Sequence, residues 1–232
     1  MQPSEPLVSV ITPVFNGERT LRRAHDSLKP QLARWQHIIV DDGSTDGTPN
    51  IIRELASDPR VISVRTENRG ISAAHNTGIQ VSTGDFIAFL DADDEYLPDH
   101  LSAHLAAMAA DPEVDLFWGG LEVIVNQPED IMVPDVAAGF GFISIEDCIA
   151  QGTLFVRRHV FDHFSFNEDR AIWWQDLDFV TRVQTRFVAR RFHQRTYRYY
   201  RNSGSSAVDK LKENWPTRDQ SDEGAQCLSR TY

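Results

Sequence analysis

The chain has 232 residues, 41% of them hydrophobic and 25% charged, which suits one large globular domain or two small ones. Its net charge of −11 argues against a general nucleic-acid binder, which needs clustered cations to meet the phosphate backbone. Apolar runs such as residues 86–90 and 105–110 are far short of the ~20 residues of a membrane helix. Residues 1–10 carry no basic flank or signal core, and Cys148 and Cys227 make no disulfide framework or metal pattern. A cytoplasmic location is therefore expected.

The first hundred residues alternate strand and helix signals. Residues 7–14 form a β-branched run, and Leu21, Ala24, Leu28 and Leu32 follow on one helical face. Residues 37–40 read as a strand, and Pro49 opens a second helix with Ile51, Ile52 and Leu55 on its apolar side. A third strand at 61–64, a helix over 71–81 and a strand at 86–90 complete the pattern. Such alternation predicts a parallel sheet covered on both faces. Beyond it, Leu101, Leu105 and Met108 mark a helix, and residues 114–125 read as one strand. Residues 126–142 read as loop and 152–156 as a strand followed by a helix. A last helix is expected over 173–187, with a polar tail from Ser203.

In sheets of this kind ligands bind at the carboxyl ends of the strands. Polar clusters stand at all four: Phe15-Asn16, Asp41-Asp42-Gly43-Ser44, Glu67-Asn68-Arg69-Gly70 and Asp91-Ala92-Asp93-Asp94. Asp, Asn and Gly also favour ordinary turns, but here the clusters share one edge. The carboxylates of Asp91 and Asp93 suit a hard divalent cation, Mg²⁺ or Mn²⁺, that completes its shell with phosphate oxygens. No Gly-rich phosphate loop of either common type is present. That removes the main support for a P-loop or dinucleotide-dehydrogenase reading.

Four ordered segments, residues 8–16 (VSVITPVFN), 40–48 (VDDGSTDGT), 68–78 (NRGISAAHNTG) and 89–94 (FLDADD), resemble glycosyltransferase family 2. The resemblance implies a GT-A fold, an α/β architecture with a Rossmann-like, mostly parallel sheet flanked by helices and a smaller acceptor-side part. It divides the chain into one domain over 1–206, with a nucleotide-binding part at 7–110 and an acceptor part at 111–206, and a tail at 207–232. It implies an inverting transferase that moves a sugar from a nucleotide diphosphate, with UDP expected, to a saccharide or lipid-linked acceptor in cell-surface polysaccharide or glycoconjugate synthesis.

The resemblance also assigns residues. Pro13, Phe15, Asn16 and Glu18 form the nucleoside turn, with Phe15 stacking on the base. Asp42 and Asp41 meet the base edge. Asn68, Gly70, His75, Asp91, Ala92 and Asp93 complete the nucleotide-sugar site, with Asp93 and Asp91 as metal ligands. Asp176 takes the place of the catalytic base, beside Trp173, Trp174 and Gln175 on the acceptor side. The chain departs from the family at three positions: His75 for a common Arg, Gln175 for Glu, and Ser203 for a metal-side His. Gln175 and Ser203 keep a second reading open, a non-catalytic nucleotide-sugar binding module. Residues 181–201 hold seven arginines and no acid. Arg182, Arg186 and Arg190, four apart, would share one helical face. This segment is a candidate for peripheral contact with an anionic membrane or a protein partner.

Overall fold

A computed structural model describes residues 5–172 and 174–201. Strands β1 (Leu7–Val14), β2 (Arg34–Asp41), β3 (Val61–Arg65) and β4 (Phe86–Phe89) run parallel, as the alternation predicts. Further strands are β5 (Glu95–Tyr96), β6 (Leu116–Trp118), β7 (Leu121–Val125), β8 (Met132–Pro134), β9 (Phe142–Ser144), β10 (Phe155–Arg157), β11 (Ala189–Arg191) and β12 (Tyr197–Arg201). The main sheet has the order β11-β6-β10-β4-β1-β2-β3. β10 is antiparallel to both of its neighbours.

Helices α1 (Leu21–Asp26), α2 (Thr48–Leu55), α3 (Ile71–Val81), α4 (His100–Ala110) and α5 (Gln175–Val183) pack on the sheet. The period-2 alternation of each strand decides which helix it meets. Val8 and Val10 of β1 and Phe86 and Ala88 of β4 face α1 and α4, through Ala24, Leu101 and Met108. Ile11, Ile87 and Phe89 face the other way, toward Ala74 of α3 and Phe179 and Val180 of α5.

Several expected elements are shorter or divided. α1 ends at Asp26, and Leu32 lies beyond it, 87% exposed instead of on a buried helical face. The single strand expected over 114–125 is two strands in different sheets. Gly119 and Gly120, with φ of +94° and +74°, turn the chain between them. A Cβ on Gly120 would lie 2.3 Å from the Gln194 carbonyl oxygen, so only glycine passes. β7 then pairs with β12, which also pairs with β5, in a separate three-stranded sheet. The loop expected over 126–142 holds a 3-10 turn, Pro128–Ile131, and the first strand of the β8–β9 hairpin. The segment 158–162 is 3-10 rather than α-helical.

α5 is confined to Gln175–Val183, so Arg186 and Arg190 do not continue its face; Arg190 lies on β11. The arginine segment is also largely neutralised within the molecule. Arg182 pairs with Asp178 at 2.7 Å, Arg191 with Asp147 at 2.7 Å, Arg195 with Glu146 at 2.8 Å and Arg198 with Glu122 at 3.0 Å; Arg190 pairs with Asp111. All five of these partners are acids of residues 101–180. The tail, including Ser203, lies outside the described residues. Among those described, no helix is long and apolar enough to cross a membrane.

Candidate active site

The parallel register aligns Val14 with Asp41 and Asp41 with Arg65. The loops that follow β1, β2, β3 and β4 therefore open on one edge. The β1 loop is built against the β2 loop by reciprocal hydrogen bonds. Asn16 has φ of +57°, in the left-handed region that asparagine tolerates. Its N–H donates to Ser44 Oγ at 2.9 Å, and its Oδ1 accepts from Thr45 N at 2.8 Å. Glu18 Oε2 accepts from Gly47 N at 2.6 Å. Asn16 and Glu18 thus shape the turn, and between Pro13 and Asn16 the Phe15 ring is left 50% exposed.

Asp41 and Asp42 are both buried, and protein donors already engage them. Asp41 accepts from Ser44 N at 2.8 Å and from Arg65. Asp42 Oδ1 accepts from Thr66 Oγ1 at 2.9 Å and Arg69 N at 3.0 Å, and its Oδ2 from Gly70 N at 2.8 Å. Asp42 thereby fixes the entry to α3. Gly70, with φ of +96°, lies under Arg170, whose guanidinium bonds the carbonyl oxygens of Asn68 and Arg69 at 2.6 and 3.1 Å.

His75 differs from its expected place in the nucleotide site. Its ring is fully buried against Phe89 and Phe166, and Gln151 Nε2 lies 2.9 Å from its Nδ1. Burial holds its pKa down at about 3, so it is neutral and offers no charge to a diphosphate. Its neighbour Asn76 joins the two halves of the chain. Asn76 Oδ1 accepts from Phe166 N at 3.0 Å, and its Nδ2 donates to Phe166 O at 2.9 Å and Glu168 Oε1 at 3.0 Å.

Asp91 feels the charges of two other acids, Asp93 and Asp176. Asp91, half-buried with Ala92, has its carboxyl pushed up to about 7 by burial and then by the charges of Asp93 and Asp176. Asp93 is at the surface, yet surrounding protein raises its carboxyl too. Asp176, in the first turn of α5, is raised to about 6 by burial, against the bonds of the Leu177 and Gln151 backbones. Gln175 precedes it, and Trp174 is 39% exposed beside it; Trp173 lies outside the described residues.

Asp94, next in sequence, is not part of this open set. It is buried; Tyr197 Oη donates to its Oδ2 at 2.7 Å and Tyr200 N to its Oδ1 at 2.8 Å. The same Tyr197 hydroxyl accepts from Asp91 N at 3.2 Å. β12 thus holds the loop after β4, and Arg23 braces it from the other side by donating to the Asp93 carbonyl oxygen. Among the described residues no three His, Cys, Asp or Glu side chains converge as a metal cage. Asp91 and Asp93 are two carboxylates close enough for the charge of Asp93 to raise Asp91, and among the described residues only Arg23 offsets Asp93. That fits a hard divalent cation sharing its shell with a phosphorylated ligand and water.

A large, mostly parallel sheet flanked by helices, with its polar loops at one edge, is the α/β architecture of the GT-A fold. Solved structures share the fold. A mannosyltransferase from Pyrobaculum calidifontis, in complex with GDP-Man and Mn²⁺, superposes with a TM-score of 0.69 at 21% identity, over 90% of this chain and 61% of that one. TarS of Staphylococcus aureus with UDP-GlcNAc gives 0.68 at 18% identity, over 85% and 59%. The model of Glycosyl transferase family 2 matches residues 9–208, and the chain belongs to that family of enzymes.

A UDP-Glc:α-D-GlcNAc-diphosphoundecaprenol β-1,3-glucosyltransferase of Escherichia coli is 28% identical over 226 residues, 90% of this chain and 84% of that protein. EpsH of Bacillus subtilis, described as a putative glycosyltransferase, is 40% identical over 113 residues, 48% of this chain. The chain covers 32% of the length of EpsH.

Proposed function

We infer that this enzyme transfers a sugar from a UDP-sugar to an acceptor hydroxyl with inversion at the anomeric carbon. Asp176 is the general base. What supports the reading is the position of Asp176 in the first turn of α5, close enough to Asp91 for its charge to help raise that carboxyl, with Asp93 two residues further along the same loop. The set joins a base at the acceptor side to a pair of acids at the donor side. The relative that uses UDP-Glc and a lipid-diphosphate-linked sugar, aligned along most of both chains, supports a UDP donor and a saccharide or lipid-linked acceptor in polysaccharide assembly.

In this reading Phe15 stacks on the nucleobase, and Asp42 Oδ2, with one protein donor, accepts the base N–H through its remaining lone pair. Asp91 and Asp93 hold a divalent cation. Bound there, it would supply positive charge against the diphosphate, which matters in a cleft short of lysine. A hydroxyl is a poor nucleophile at neutral pH, so Asp176 takes its proton as the new bond forms; such help is worth ~10²–10⁴-fold. With a carboxyl raised to about 6, Asp176 is ionised at neutral pH and still basic enough to hold that proton. Trp174 offers an apolar face to the acceptor ring.

Thermal shift with a panel of UDP- and GDP-sugars, with and without Mn²⁺, tests the donor assignment. A Mn²⁺-dependent shift with a UDP-sugar is expected. Shifts with UDP-sugars but no turnover with any acceptor would favour the binding-module reading.

A further inference from the structure

Two of the departures from the family pattern, His75 and Gln175, are remote in the chain and meet at a third residue. Gln151 opens a 3-10 turn, Gln151–Thr153, and is 6% exposed. Its Nε2 lies 2.9 Å from His75 Nδ1, and its Oε1 accepts from Gln175 Nε2 at 3.5 Å. Gln175 directly precedes Asp176 at the start of α5, and the Gln151 backbone lies close enough to the Asp176 carboxyl to hold it down against burial. A buried amide is costly unless both its ends are bonded; here the donor end is spent on His75 and the acceptor end on Gln175. The His75 ring is itself wedged between Phe89 and Phe166, so the string is anchored in the core.

The next residue in the turn touches the donor side. A Cβ on Gly152 would come within 2.1 Å of Tyr197 Oη, the hydroxyl that meets both Asp94 and the Asp91 backbone. Consecutive residues of one turn therefore abut the supports of the base and of the acid pair.

We propose that Gln151 is a positioning residue for Asp176: anchored through His75, it fixes the direction in which the Asp176 carboxylate faces the acceptor. The proposal rests on the reading of Asp176 as the base. A neutral string does this without adding charge beside carboxylates that already repel one another. Misplacement of a catalytic group by about an ångström can cost up to ~10²-fold in rate, which gives the string its leverage.

Gln151→Met keeps the side-chain length and removes both side-chain hydrogen bonds. The test is a double-mutant cycle with Asp176→Asn, read as UDP-glucose hydrolysis, with UDP affinity by calorimetry as the check on fold and donor site. Gln151→Met should lower kcat about tenfold with KM and the UDP Kd changed less than about twofold. In the Asp176→Asn background the same substitution should leave the residual rate unchanged within about twofold. An equal loss in both backgrounds, or no loss in the native one, overturns the proposal. If the base reading itself is wrong, the signature differs: Asp176→Asn alone then keeps the native rate. In the ligand-free protein, the ¹⁵N spectrum of the His75 ring should shift at Nδ1 in Gln151→Met. An unchanged His75 spectrum overturns the string independently of turnover.

Discussion

Asp91 and Asp93 are separated by a single alanine but stand in different surroundings. Asp91 is half-buried, its backbone held by Tyr197, while Asp93 is at the surface with its backbone carbonyl held by Arg23. Asp93 is thus the acid freer to meet a ligand. Asp93→Ala should leave the fold intact and reduce UDP affinity in Mn²⁺ to the metal-free value. Calorimetry with and without Mn²⁺ measures this, and equal affinities in the unmutated protein would remove the metal from the account. Asp94 resembles its neighbours in sequence but has both oxygens spent on Tyr197 and Tyr200; sequence proximity alone could not separate it from the open pair. His75 shows the same limit. Its place in a conspicuous motif suggests a ligand contact, yet its helix turns it into the core. The residues that support the site were less visible still. Gln151 lies 76 residues from His75 and 24 from Gln175, and no local pattern marks such a partner.

Among the elements, the four parallel strands were legible because buried parallel strands read as apolar runs closed by turn residues. The division between β6 and β7 was not, because β-branched and aromatic residues continue on either side of Gly119 and Gly120. The sequence of residues 152–156 reads as a strand throughout. It begins instead as the 3-10 turn whose Gly152 admits Tyr197. Gly152→Ala should therefore force Tyr197 away from Asp94 and destabilise the fold by about 1–3 kcal/mol, the usual cost of overpacking. Urea unfolding of the variant measures it; a native midpoint would show that the turn relaxes freely. The segment 165–170 is tied to α3 by Asn76. Asn76→Ala leaves the buried Phe166 N–H and C=O without those partners, so about 2 kcal/mol of destabilisation is expected. A loss of less than about 0.5 kcal/mol would mean that water replaces the amide.

At the scale of the whole molecule, the histidines couple stability to pH. His37 and His75 are held at about 3, His104 at about 4, His100 well below its usual value and His25 also below it, each chiefly by burial. The folded chain keeps them neutral, whereas the unfolded chain protonates them near 6.5. Unfolding therefore takes up protons as pH falls below about 6.5, and stability is lost on acidification toward 3. Asp91 and Asp176, raised to about 7 and 6, and Asp93 and Asp94, also raised by burial, act in the opposite sense, because the folded chain binds protons there that the unfolded chain has released. With five such histidines against four such acids, the net expectation is a small rise in stability from pH 4 to 6.5. Chemical unfolding across that range checks the sign; a flat or falling curve would contradict the burial of the histidines.

In the proposed reaction Asp176 is the group that takes the acceptor proton. Glu168 is the rival acid, but it is tied to Arg69 at 2.7 Å and to Asn76 at 3.0 Å, and Asp178 is tied to Arg182. The most direct measurement compares turnover and UDP affinity in Asp176→Asn and Glu168→Gln. Asp176→Asn should keep UDP affinity within a few-fold and lower turnover at least ~10²-fold, while Glu168→Gln stays within about tenfold of native. Near-native turnover in Asp176→Asn, with turnover lost in Glu168→Gln, would contradict the account and move the acceptor to the other side of the cleft.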